Sequence, residues 1–151
     1  QKRSLPSNSG RQRINLHGGI NIETMEMTVI ESNSINRDST IQLLSMMDKK
    51  YEYAKEVIVI LDNASYHYSK EVKNIVEESP RLKLVFLPPY SPELNLIERV
   101  WKFFKKQVLY NKYYENVGAF RKAAIDFFKN IDCHYESLRT LLGGGFENIC
   151  T

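Results

Sequence analysis

Val57-Ile58-Val59-Ile60-Leu61-Asp62-Asn63 decides how this chain is read. Five consecutive aliphatic residues, four of them β-branched, suit a strand apolar on both faces, as in the middle of an α/β sheet. The run stops at an Asp-Asn pair. A second short apolar run, Leu84-Val85-Phe86-Leu87, lies downstream and leads into Pro88-Pro89-Tyr90-Ser91-Pro92. Between the two, Ser69 is placed to start a helix with Val72, Ile75 and Val76 on one face, and Ser79-Pro80 to stop it. Strand, helix, strand in this order is the unit from which α/β sheets are built.

Working outward, Ile14, Leu16, Gly18, Ile20 and Ile22 alternate with polar residues, and Met25, Met27 and Val29 do the same. These read as two half-buried strands forming an antiparallel hairpin that turns near Ile22–Thr24. Asp38 or Ser39 can cap a helix carrying Ile41, Leu44 and Met47 and ending near Lys50. Beyond the proline loop, Asn95 to about Leu109 predicts a long helix with Ile97, Val100, Trp101, Phe104 and Val108 toward the core. Residues 117–131 repeat the helical period. Tyr135–Leu142 reads as a short helix ended by Gly143-Gly144-Gly145. The expected order is β-β-α-β-α-β-α-α followed by that short helix, with 1–13 a basic, flexible lead-in, 14–142 the folded domain and 143–151 a tail.

The 151 residues are 42% hydrophobic and 26% charged, enough apolar material for a packed core. No apolar run approaches the roughly 18 residues of a membrane span. The first thirteen residues are polar, so no secretory signal is expected. Cys133 and Cys150 make neither a disulfide framework nor a metal-ligand spacing. The net charge of +3 is small, but its distribution is uneven. Lys2, Arg3, Arg11 and Arg13 open the chain, and Arg99, Lys102, Lys105, Lys106 and Lys112 follow one another without an acid between them. Such blocks suit a polyanion, although a solvated basic face would look the same.

Two acids stand where chemistry would be expected. Asp62 ends the first apolar strand, and α/β sheets build sites at the carboxyl ends of their strands. Asp-Asn is also good turn chemistry. Glu98 lies in the first turn of the long helix. There Asn95 and Glu98 have capping-box spacing, and Lys102 stands one helical turn on as a possible ion-pair partner. Taken together, both carboxylates follow apolar strands and are expected at the same sheet edge, as hard divalent cations would require. Lys102 and Lys105 share the Glu98 face and could hold phosphates. His67, five residues past Asp62, could reach substrate or a metal-bound water, or be a surface histidine with no such role. Asn63 and Asn95 flank the two acids and could line the site. His17 and His134 read as structural, and Trp101 as core.

Leu61-Asp62-Asn63-Ala64-Ser65-Tyr66-His67 resembles the second-aspartate motif of mariner-type transposases and their bacterial insertion-sequence relatives. Leu87-Pro88-Pro89-Tyr90-Ser91-Pro92-Glu93-Leu94-Asn95-Leu96-Ile97-Glu98 resembles the third-acid motif of the same DDE superfamily, and residues 63–97 give the family's mid-thirties spacing. Leu96 stands where many relatives have proline. The resemblance implies an RNase H-like α/β fold, a mixed sheet flanked by helices. It implies Asp62 and Glu98 as two of three catalytic carboxylates holding two Mg²⁺ or Mn²⁺ ions. It further implies DNA, as transposon ends and target, as the partner, with Arg11, Arg13, Arg99, Lys102, Lys105 and Lys106 contacting it. A homodimer in the full-length protein and a cytoplasmic, nucleoid-associated location go with that reading. The family's first aspartate belongs to a central strand upstream of the hairpin. Neither Asp38 nor Asp48 matches that position, so the first, central strand is expected to be missing from this sequence. A catalytically incomplete remnant, acting only in DNA binding or oligomerisation, is the alternative.

Overall fold

The computed structural model describes residues 13–146. The expected lead-in, with Arg11, and the last residues of the expected tail, with Cys150, lie outside them. The chain forms two compact units. One contains residues 15–19 and 28–96 and carries Asp62. The other contains, of the described residues, 13–14, 20–27 and 97–146, and carries Glu98.

In the Asp62 unit, strands β1 (Asn15–Ile20) and β2 (Met27–Ser32) pair in one two-stranded sheet. Their connection is too short for a parallel crossover, so the pair is antiparallel. The expected second strand starts two residues too early. Met25 has a φ of 62° and belongs to the turn. Asn21 organises that turn, its side chain accepting from Glu23 N and Thr24 N and its carbonyl from Met25 N. The buried face of β2 consequently carries Thr28 and Ile30 rather than Met27 and Val29.

Helix α1 (Arg37–Lys50) is capped by Asn36, not by Asp38 or Ser39. Asn36 Oδ1 accepts from Ser39 N, and Ser39 Oγ accepts from Asn36 N, so the two residues close a capping box. Leu43, Leu44 and Met47 turn inward. Ile30, Leu43 and Met47 form one cluster, against which Val59 packs.

Strand β3 (Val57–Leu61) pairs in parallel with β4 (Leu82–Phe86), with Val57 opposite Leu82 and Leu61 opposite Phe86. Helix α2 (Lys70–Glu78), capped by Ser69 as expected, joins them. Leu44, Val72 and Leu82 make the second cluster, with Val57, Val59 and Leu84 packed on it. The expectation that β3 is covered on both faces is wrong. Ile58 is 56% exposed, Ile60 54% and Val85 48%. The helices cover the face of Val57, Val59 and Leu61, and period-2 alternation puts the intervening side chains on the other face. No strand joins the β1–β2 and β3–β4 sheets among the described residues.

In the Glu98 unit, α3 (Leu96–Phe104) does not continue as an α-helix to Leu109. Residues 105–109 form a π-turn closed by Tyr110 N–H on the Lys105 carbonyl. The core face survives it: Val100, Phe104 and Val108 are buried. Helix α4 (Val117–Lys129) is capped by Asn116. Its Phe127 and Phe128 pack on Phe104 with ring centroids 5.3 and 5.1 Å away. Trp101 meets Phe104 and Phe128 edge-on, which is the expected core role. Helix α5 (Tyr135–Phe146) buries Leu138 and Leu142 completely and runs through the three glycines. Glycine ends a helix by taking a left-handed conformation, and no described glycine has positive φ.

Candidate functional site

Asp62 follows the last residue of β3, so its position comes directly from the strand. Leu87 N–H donates to the Leu61 carbonyl (2.8 Å), extending the β3–β4 ladder to the point where the acid leaves it. The turn reading of Asp62 holds. Its Oδ1 accepts from Ala64 N (3.0 Å), the turn bond that an aspartate at this place should make. The side chain remains half exposed, and its Oδ2 takes no hydrogen bond among the described residues. One oxygen is anchored and the other is left for a ligand.

His67 is buried, 6% exposed, in the 3₁₀ turn Ser65–Tyr68. It is therefore not a surface histidine. Its Nδ1 lies 3.2 Å from the Asp62 carbonyl oxygen and 3.2 Å from Asp62 Oδ1. Facing two acceptors, Nδ1 carries the proton and donates. Tyr66 meets the His67 ring edge-on at 4.6 Å. Burial, and then the Asp62 charge, push the Tyr66 phenol above its ordinary range. His17 on β1 belongs to the same environment. Burial chiefly, then the His67 ring, hold its pKa below the ordinary histidine value, while Asp62 acts in the opposite sense. His17 Nδ1 contacts Ser39 Oγ at 3.1 Å. Sequence reading had no means to find this neighbourhood, because it depends on where β1 lies relative to β3.

Asn63 does not present a free amide to a site. Its Nδ2 donates to the Leu87 carbonyl (2.5 Å), and its Oδ1 accepts from the Tyr68 hydroxyl. The Tyr68 ring stacks on Phe86 at 4.2 Å. Asn63 and Tyr68 thus clamp the ends of β3 and β4 together, an arrangement for which the sequence offered no sign beyond the Asp-Asn pair.

Glu98 sits in the first turn of α3, exposed. The two structural explanations for it find no support among the described residues: no hydrogen bond joins it to Asn95, and no ion pair joins it to Lys102. Asn95 instead uses its backbone N–H to close the preceding turn on Pro92 O. Lys102, Lys105 and Lys106 are exposed, whereas Arg99 reaches the Leu141 carbonyl through Nη1 (3.3 Å) and so ties α3 to α5. Arg13 is exposed at the start of the described chain. His134 lies among Phe103 and Phe127, the structural place expected for it.

Asp38 and Asp48 remain outside any site. Asp38 pairs with Arg37 at the surface. Asp48 Oδ1 receives Ser79 Oγ (2.8 Å) and Arg81 Nε (2.7 Å). No group of three or more His, Cys, Asp or Glu gathers for a metal among the described residues. The donors that do stand free, an aspartate oxygen and an exposed glutamate, are of the kind that Mg²⁺ and Mn²⁺ prefer. No helix among the described residues is long and apolar enough to cross a membrane.

A family model described as "DDE superfamily endonuclease" matches residues 1–121. The chain is 24% identical over 131 residues to the "Insertion element IS630 uncharacterized 39 kDa protein" of Shigella sonnei, covering 87% of this chain and 38% of that protein. It is 32% identical over 73 residues to "Uncharacterized protein y4pE/y4sA" of Sinorhizobium fredii (strain NBRC 101917 / NGR234), covering 48% of this chain and 51% of that one. The chain therefore spans about two-fifths to one-half of the length of these relatives. A similar fold occurs in a chain of the "CryoEM structure of simian T-cell lymphotropic virus intasome in complex with PP2A regulatory subunit B56 gamma". There the TM-score is 0.57 at 15% identity, over 74% of this chain and 41% of that chain.

Proposed function

Because this chain belongs to the DDE superfamily of endonucleases, in its bacterial insertion-sequence branch, we propose that it is the catalytic part of a DNA transposase. The parent protein would hydrolyse phosphodiesters at transposon ends and transfer the freed strand into target DNA. The observation that carries this reading is the pair of acids. Asp62 leaves β3 with one oxygen anchored and the other without a partner, and Glu98 opens α3 with neither a cap nor an ion pair to occupy it.

Bound Mg²⁺ or Mn²⁺ would supply charge stabilisation at the phosphate and a more acidic attacking water. Asp62 and Glu98 would hold the ions. Ala64 N–H and His67 orient the Asp62 carboxylate, and the clamp of Asn63 on Leu87 fixes the strand end from which it projects. The exposed Lys102, Lys105 and Lys106, with Arg11 and Arg13, would neutralise DNA phosphates. Arg99 would contribute alongside its bond to Leu141. A third carboxylate would come from a strand preceding Gln1 that completes an RNase H-like sheet next to β1 and β3. A homodimer acting on the nucleoid in the cytoplasm goes with this reading.

The test is Mg²⁺-dependent cleavage of terminal DNA by the full-length protein. Asp62→Asn and Glu98→Gln should each reduce cleavage to background. Wild-type turnover in either variant removes the assignment. A second reading, a remnant that binds DNA or a partner without cutting, draws on the two separate sheets and the absence of a gathered acid triad among the described residues. A Mg²⁺ nuclease assay on the full-length protein separates the readings, since a remnant cuts nothing.

A further inference from the structure

Tyr90 is wholly exposed, at 100%, and its backbone is left-handed, with φ 58°. Both features cost free energy. An aromatic ring in water loses the burial that usually retains it, and a left-handed φ is strained for any residue with a bulky side chain. Neither cost is recovered among the described residues, with none of which Tyr90 makes a side-chain hydrogen bond or ring contact. Glycine at this position would avoid both costs.

The loop nevertheless holds the ring in a defined place. Pro88 and Pro89 have fixed φ, and Ser91, held out of the helical region by Pro92, has φ −122° and ψ 58°. Ser91 Oγ donates to Pro89 O (3.4 Å), and Leu94 N–H to Ser91 O (3.1 Å). The root of the loop is locked beside the acid: Leu87 bonds to Leu61 through its N–H and to Asn63 through its carbonyl, one residue on either side of Asp62. Three residues of chain reach no more than about 11 Å, so Tyr90 stands at the Asp62 end of the strands.

We propose that Tyr90 is a base-stacking residue that receives an unpaired nucleobase next to the phosphate attacked at Asp62. This rests on the DNA-cutting reading above. A rigid, exposed aromatic face is suited to an unstacked base of any identity, since every base offers a π-face. It loses little conformational freedom on contact, because a tyrosine has few rotors and this one sits between prolines. The bases flanking a cut must be freed from the duplex for such a contact, so the preferred DNA is forked rather than fully paired.

The experiment uses the full chain with Asp62→Asn, which separates binding from cleavage, and a forked duplex carrying 2-aminopurine in its unpaired arm. Tyr90 should quench the fluorophore. Tyr90→Phe should retain the quenching. Tyr90→Ala should abolish it and weaken binding to the fork by about tenfold, leaving fully paired DNA unaffected. Tyr90→Gly should also lose quenching while raising the thermal midpoint, because glycine accepts φ 58° without strain. Unchanged quenching and an unchanged fork-to-duplex ratio in Tyr90→Ala would overturn the inference. So would a lowered midpoint in Tyr90→Gly, which would make the ring structural. Cleavage that survives Asp62→Asn sinks the parent reading instead, and the fluorescence result is independent of it.

Discussion

At the scale of single residues, the Asp62–His67 contact matters most. An aspartate at a strand end can rotate, and a rotating carboxylate binds a cation poorly because its ordering must be repaid on binding. Here Ala64 N–H and His67 Nδ1 both hold Oδ1. Removing such an orienting partner costs about 10- to 100-fold in metal affinity or activity where it has been measured. His67→Ala should therefore weaken Mn²⁺ binding to the full-length protein by that order, as read by titration calorimetry. His67→Asn, whose amide can replace Nδ1–H, should restore much of it. Equal binding in all three proteins would reduce His67 to packing. Asp62 and His67 were both visible in the sequence as a pair five apart. That the histidine is buried and aimed at the acid was not, because the 3₁₀ turn between them sets its direction.

At the scale of elements, the C-terminal end of α1 is fastened to the start of β4. Asp48 Oδ1 takes Ser79 Oγ and Arg81 Nε, and Arg81 Nη1 reaches the Glu52 carbonyl at 2.6 Å. The Ser79 hydrogen bond foremost, then the Arg81 guanidinium, outweigh partial burial and hold the Asp48 carboxyl below its usual range. A carboxyl with a depressed folded-state pKa stabilises the fold above its unfolded pKa of about 4, and that stability is lost as pH falls through the depressed value. Asp48→Ala should cost about 1–3 kcal/mol at neutral pH by urea unfolding. The difference from wild type should shrink toward pH 3. A cost that is independent of pH would mean that the charge is irrelevant. The sequence supplied α1, α2 and β4 through their periodicity and serines. It gave Asp48 no evident role, because its partners lie more than thirty positions away.

At the scale of the molecule, β1–β2 and β3–β4 stand as separate two-stranded sheets in the Asp62 unit. Two-stranded sheets are marginal by themselves and expose unpaired backbone at their edges. The face of Ile58, Ile60 and Val85 adds exposed apolar surface. If the proposed upstream strand belongs beside β1 and β3, a chain extended by the parent's preceding residues should unfold at higher temperature and with a larger urea m-value than this one, since it buries more surface. An unchanged m-value would remove the strand from the proposal.

The sequence alone determined the kinds of element and their order. Periodicity, the Ser69 cap and proline punctuation act over a few neighbouring residues, so they can be read in one dimension. Tertiary structure decided which face of β3 is covered, that α5 runs through its glycines, that α3 ends in a π-turn, and that His17 and His67 stand in the field of Asp62. Each of these depends on residues brought together across long stretches of chain, where packing and unpaired backbone groups outweigh local preference.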